Sequence, residues 1–170
     1  MKKILVMLVL FAVLIAVGPT SALNQSGSAV TPASVNVNYF VVSNTNFWVN
    51  TTESNQTALN FTTKKNENNV QPQGQNNTTN TPWAIITNAG DVVQSVKAKL
   101  GVANPTGLSL YLSNSSDYSG QVTVNPTTAV GPTQWSNVAA LGGTVASYFR
   151  LNAAGAVDGT YSNTIAISAS

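Results

Sequence analysis

The strongest constraint on the fold is a period-two alternation of apolar and polar residues along most of the chain. In residues 108–113, LSLYLS, each leucine is followed by a serine or a tyrosine. Similar alternation occurs in residues 92–100, 144–151 and 160–170, and residues 35–42 alternate at first and then end in a continuous apolar run. Because successive side chains of a strand point to opposite faces, these segments predict half-buried antiparallel strands, with Val92 among the inward residues of its segment.

Turn-forming residues separate these segments, and no window of a dozen residues beyond residue 22 carries a convincing helical stripe. Strands that recur about every eight to twelve residues are typical of a β-sandwich. The sequence therefore predicts an all-β fold, a single antiparallel β-sandwich of Ig-like or jelly-roll type, with about eight strands.

The first 22 residues have the pattern of a secretory signal peptide. Lys2 and Lys3 precede an apolar run at residues 4–18, and small residues end the segment at Ala22. A retained membrane anchor is the alternative, but the run is shorter than the roughly twenty residues that span a bilayer. We predict cleavage between Ala22 and Leu23, export to the cell surface, and membrane contact only during export. The remaining chain divides into an extended segment, 23–34, and a β-sandwich domain, 35–170.

The charged residues exclude several classes of function. Without Lys2 and Lys3 the exported chain has five basic and five acidic residues, and no basic stripe for nucleic acid. The chain contains no Cys and no His. Its carboxylates are not arranged as a glycosidase pair or as a calcium-binding loop. The sequence therefore predicts a protein that is not an enzyme and that has no metal site and no cofactor.

Seven Asn-x-Ser/Thr sequons predict covalently attached glycans. Only 7% of the residues are charged, against about 25% in an average soluble domain, so neutral polar groups or sugars must keep the surface soluble. The candidate acceptors are Asn24, Asn50, Asn55, Asn60, Asn76, Asn77 and Asn114.

Three of these sequons are spaced by five residues, which is incompatible with one continuous half-buried strand. A turn at residues 53–57 resolves the conflict and predicts a hairpin of two paired strands. The inward residues are then Phe47, Val49, Leu59 and Phe61, and the outward residues are Trp48, Asn50, Asn60 and Thr62. A second short hairpin is predicted at residues 87–91, TNAGD.

Trp48 is predicted on the outward face beside the sequons. At this position its indole is available to stack on a glycan, to bind free carbohydrate or to pack against a neighbouring molecule. The alternative is that a second sheet or a loop covers it.

The segment 23–34 has small residues, no charge and one proline, Pro32. It is either a flexible terminus or a strand that completes the sheet of another copy, which would build a filament. Because proline cannot donate to a ladder, residues 35–42 are the alternative donor strand. The candidate subunit-interface residues are Leu23, Ala29, Val30 and Trp48.

The export signal, the small N-terminal segment, the Asn- and Thr-rich β domain and the ending FRLNAAGAVDGTYSNTIAISAS together resemble archaeal extracellular filament subunits. These are the threads and bundling pili assembled by donor-strand complementation, similar in fold to bacterial biofilm-matrix fibre proteins. The resemblance implies a structural subunit whose segment 23–34 inserts into the groove of the next identical copy. It also implies sugars on the fibre exterior and a role in adhesion or biofilm cohesion. The alternative is a monomeric secreted carbohydrate-binding or adhesin module that uses Trp48, Trp83 or Trp135 as a platform.

Overall fold

The computed structural model describes residues 34–43, 47–53 and 56–169. The predicted signal peptide and most of segment 23–34 therefore lie outside the described residues. Nine strands are present in the described part: β1 (Ser34–Ser43), β2 (Phe47–Thr51), β3 (Ala58–Lys64), β4 (Ala84–Asn88), β5 (Val96–Leu100), β6 (Ser109–Ser113), β7 (Val122–Thr123), β8 (Thr144–Asn152) and β9 (Gly159–Ala169). A single 3-10 turn occupies Thr133–Trp135 in this part. The predicted all-β class is confirmed.

The strands form two sheets that pack around one core. The first sheet has the order β3-β1-β9-β5 and the second has the order β2-β4-β8-β6-β7. Paired neighbours are antiparallel except β1 and β9, which run parallel. Parallel neighbours need a long connection, and here nearly the whole described chain separates the two strands.

The core is built from the inward residues of both sheets, together with Trp83 just before β4 and Trp135 of the 3-10 turn. The largest fully buried side chains include Trp83, Trp135, Tyr39, Phe61 and Phe149. Burying a side chain of this size stabilises the fold by about 1.5–3 kcal/mol relative to leaving it exposed. The hydrophobic stabilisation therefore comes both from the alternating strand residues and from the two tryptophans that lie outside the strands.

The prediction that β2 and β3 pair as a hairpin is wrong, but the predicted inward and outward sides of their residues are correct. β2 pairs with β4 in one sheet, and β3 pairs with β1 in the other. Phe47, Leu59 and Phe61 are buried and Val49 packs half-buried against them, whereas Trp48, Asn50 and Thr62 are exposed and Asn60 is half-buried. Alternation decides which face a residue occupies, but it does not decide which strand becomes the partner.

The second predicted hairpin is also a crossing between sheets. β4 ends at Asn88, and β5 begins only at Val96 in the other sheet. Asn88 is buried, its Nδ2 donates to the carbonyl oxygens of Val92 at 2.9 Å and Val138 at 3.1 Å, and its Oδ1 accepts from the Gly90 amide at 2.9 Å. The carboxamide thus holds a loop that the sequence pattern treats as a tight turn. Val92, predicted to face inward, lies in this loop and is exposed.

Candidate functional site

The first described strand, β1, lies between two other strands along its length. Its register with β3 runs from Ser34 opposite Lys64 to Phe40 opposite Ala58. Its register with β9 continues to Ser43. Because neighbouring strands are about 4.8 Å apart, β3 and β9 form a slot one strand wide, about 10 Å across, which β1 fills. We call this the β1 slot.

Three side chains of β1 face the core and are buried: Val35, Val37 and Tyr39. The Tyr39 hydroxyl donates to Oδ1 of Asn104 at 2.9 Å. Its ring meets the ring of Phe61 edge-on, with 6.0 Å between the centroids. β1 is therefore held in the β1 slot by the packing of its buried side chains and by backbone hydrogen bonds to β3 and β9. The hydrogen bond from the Tyr39 hydroxyl adds a polar contact.

Burial raises the pKa of Tyr39 well above its ordinary value of 10.0, although the Asn104 hydrogen bond acts in the opposite direction. Burial also raises the pKa values of Tyr118 and Tyr148. These tyrosines therefore stay neutral in the folded protein at a pH where they ionise in the unfolded chain.

We expect the free energy of unfolding to fall as the pH rises above about 10. The folded pKa of Tyr39 lies above the unfolded one, so its contribution is complete below pH 10 and is lost as the pH rises toward the folded pKa. Because Tyr39 keeps its proton in the folded state and loses it in the unfolded chain, it contributes a slope of about 1.4 kcal/mol per pH unit in that range. Urea unfolding between pH 8 and pH 11 measures the slope, and Tyr39→Phe should reduce it. An unchanged slope in Tyr39→Phe would show that Tyr39 ionises freely.

The connection between β1 and β2 is short and changes sheets. β1 ends at Ser43 in one sheet, and β2 begins at Phe47 in the other. In the sequence only three residues, 44–46, separate the two strands, and they lie outside the described part. Short connections of this kind favour exchange of the strand between copies, because an extended link removes the need for the turn.

The sequons differ in how much of the side chain is available. Asn50 is exposed on β2, and Asn60 is half-buried on the outer face of β3. Asn76 is exposed, and its Oδ1 accepts from the amides of Thr78 and Thr79 at 3.0 and 3.3 Å. Asn24 and Asn55 lie outside the described residues.

Two of the predicted acceptors also form hydrogen bonds to distant parts of the fold. Nδ2 of Asn77 donates to the Ser116 carbonyl oxygen, and its Oδ1 accepts from Gln75 at 2.8 Å. Oδ1 of Asn114 accepts from the Ala146 amide at 3.0 Å. There the Asn114 side chain bonds to the backbone of β8 just beyond the paired residues of β6.

We expect Asn50 and Asn76 to carry glycans and Asn77 to carry none. The sugar is attached at Nδ2, and in Asn77 this atom already contacts the Ser116 carbonyl oxygen. Mass spectrometry of glycopeptides from the exported protein measures the occupancy of each acceptor. A glycan on Asn77 with Asn76 unmodified would contradict this order.

The three tryptophans have very different environments. Trp48 is 63% exposed, whereas Trp83 is 1% and Trp135 is 0% exposed. Trp135 donates from Nε1 to the Ala146 carbonyl oxygen at 3.0 Å, and Trp83 packs edge-on against Phe149. Trp83 and Trp135 are core residues, so their predicted use as a carbohydrate platform is wrong. Trp48 lies on β2, which pairs only with β4 among the described strands.

The remaining predicted residues, Ala22, Leu23, Ala29 and Val30, lie outside the described part. The contact of Tyr39 with Asn104 was missed by sequence reasoning. The two residues are 65 positions apart, and no local pattern connects them.

In the described part of the chain, no group of acidic residues is placed to hold a metal ion. No helix of that part is both long enough and apolar enough to cross a membrane. Comparison with protein-family models and with curated proteins finds no match to this chain.

Proposed function

We propose that this protein is a structural subunit of a secreted, N-glycosylated cell-surface filament, in which β1 of each subunit fills the β1 slot of the next. The observation that carries the proposal is the position of β1. The first described strand is an inserted central strand, bonded on both sides, and only residues 44–46 separate it from β2.

Exchange of β1 would conserve most of its native contacts. Val35, Val37 and Tyr39 would enter an identical slot in another copy, with the same partners Phe61 and Asn104. The balance between monomer and polymer then depends on the residue 44–46 link and on new contacts between subunits. Exchange with one neighbour on each side is a heterologous contact, and where rotation does not close a ring it extends into a filament.

The choice of donor strand follows from the same geometry. Residues 35–42 carry the apolar alternation that the core requires, and their partners in β3 and β9 are in register. We therefore assign the donor role to β1. The resemblance to archaeal filament subunits implies insertion of segment 23–34 instead, so this choice of donor departs from it. The function is mechanical, in adhesion or biofilm cohesion, with no catalytic turnover.

A monomeric carbohydrate-binding or adhesin module is the second candidate. The exposed indole of Trp48 favours it, because an uncovered tryptophan on a sheet face is a common sugar-binding surface. Such a module would remain monomeric and would keep β1 in its own slot.

Electron microscopy of the native protein beside a variant that lacks residues 23–33 tests the proposal. We expect fibres from both proteins, because the variant keeps β1 intact. A native protein that remains a monodisperse monomer would overturn the filament and favour the binding module. Loss of fibres in the shortened variant alone would move the donor role to segment 23–34.

A further inference from the structure

Trp48 and Asn50 lie two residues apart on the outer face of β2. Both are exposed. Because a strand rises about 3.3 Å per residue, their side chains leave the sheet about 6.6 Å apart and in the same direction. Residues 48–52, WVNTT, contain the complete sequon of Asn50.

The β4 residues directly opposite this pair are uncharged. On β4, Trp48 lies opposite Thr87, and Asn50 lies opposite Ile85. Both β4 residues are half-buried. On its other side β2 is a sheet edge in the described part of the chain. An apolar indole thus stands beside a glycan acceptor, with no ionised group of β4 directly opposite either residue.

Asn50 differs from the other candidate acceptors in the residue two positions before it. Two positions before the acceptor, it has an aromatic residue, Trp48. The other six acceptors have, in chain order, Ala22, Glu53, Ala58, Gly74, Gln75 and Leu112 at that position. In a strand, this position is the nearest neighbour on the same face.

We propose that Asn50 carries an N-glycan whose first sugar packs against the indole ring of Trp48. A pyranose ring presents C–H groups on one face, and these pack on an aromatic ring much as an aliphatic side chain does. The contact removes apolar surface of Trp48 from water and restricts the glycan at its base. The inference rests on the glycosylation part of the proposed function and does not require assembly.

Fluorescence quenching by acrylamide reports on Trp48 almost alone, because Trp83 and Trp135 are buried. The full chain is exported from a host that N-glycosylates secreted proteins, and glycopeptide mapping gives the occupancy at each acceptor. Because a stacked sugar covers one of the two indole faces, Asn50→Gln should raise the quenching constant about twofold. Asn76→Gln is the matched control: it removes a sugar far along the sequence from any tryptophan except Trp83, which is buried, and it should leave quenching unchanged.

Thermal unfolding of Trp48→Val, with and without Asn50→Gln, tests the contact independently of fluorescence. We expect Asn50→Gln to lower Tm by about 3 °C when Trp48 is present and by less than about 1 °C in the Trp48→Val background. The proposed contact would be contradicted if Asn50→Gln lowered Tm equally in both backgrounds. It would also be contradicted if Asn50→Gln left the quenching constant unchanged although the wild-type protein carries a glycan at Asn50.

The outcomes separate this inference from the proposed function. If Asn76 carries a glycan and Asn50 carries none, the inference is wrong, but the proposal of a glycosylated filament is unaffected. Absence of glycans at every acceptor would overturn both the inference and the glycosylation part of the proposed function. Neither result depends on whether fibres form, which microscopy reports separately.

Discussion

Oxidation of the double variant Asn36→Cys/Thr62→Cys before assembly is expected to give a monomer that forms no fibres. The two positions lie opposite each other in the pairing of β1 with β3, and Thr62 Oγ1 donates to Asn36 Oδ1 at 3.2 Å. The Val41 amide donates to the Thr57 carbonyl oxygen at 3.0 Å, so odd-numbered residues of β1 bond to β3. Asn36 and Thr62 are therefore a non-hydrogen-bonded pair, with Cα atoms about 4.5 Å apart, which a disulfide can bridge.

The chain has no native cysteine, so this disulfide has no competitor. A bridge within one chain would keep β1 in its own slot and make it unavailable to a neighbour. The same variant kept reduced is the control, because it shares both substitutions and the loss of the Asn60 sequon. Light scattering and negative-stain microscopy measure assembly. Fibres from the oxidised monomer at the rate of the reduced protein would exclude β1 as the donor strand.

Replacement of Trp135 by alanine is expected to cost about 3–5 kcal/mol of the free energy of unfolding. Trp135 is fully buried and donates to the Ala146 carbonyl oxygen on β8. Its segment covers the outer edge of β5 through backbone bonds between Val130 and Ala98 of 2.7 and 2.9 Å. The substitution leaves a large cavity and removes a hydrogen bond. It also weakens the attachment of this segment to the edge of β5.

Trp48→Ala in the unglycosylated protein is the matched control, with the same residue type and the same truncation. Because Trp48 is mostly exposed, we expect its change to stay within about 0.5 kcal/mol. Urea and thermal unfolding measure both variants, and Trp135→Ala should lower Tm by more than about 10 °C. A loss below about 1 kcal/mol for Trp135→Ala would mean that residues 130–138 unfold separately from the core.

The faces of the strands could be predicted from the sequence, because burial follows a period of two along each strand. Phe47, Leu59 and Phe61 are inward, and Trp48 and Asn50 are outward, as that pattern requires. The partners of the strands could not be predicted in this way. A turn after β2 permits either a return in the same sheet or a crossing to the other, and both place the same residues inward.

The candidate sites illustrate the same limit for polar residues. Asn77 has the sequence of a glycan acceptor, but its Nδ2 donates to the carbonyl oxygen of Ser116, 39 residues away along the chain. Gln75 similarly pairs with both backbone groups of Phe149, 74 residues away. A local motif identifies a side chain that can accept a glycan. The tertiary structure determines whether that side chain is already hydrogen-bonded elsewhere.

The position of β1 was left open by the sequence, which offered two donor segments. Its alternation showed that residues 35–42 can enter a core, but a strand with that pattern is equally suited to an edge or a centre. The central position between β3 and β9 depends on a parallel pairing with β9, the last described strand.

The most direct test of strand exchange uses the double variant Asn36→Cys/Thr62→Cys assembled under reducing conditions and then oxidised. In an exchanged fibre, Asn36 of one subunit lies opposite Thr62 of the next, so each disulfide joins two chains. We predict a ladder of covalent oligomers on a non-reducing denaturing gel, which collapses to monomer when reductant is added. Fibres that yield only monomers with an internal disulfide would contradict strand exchange through β1.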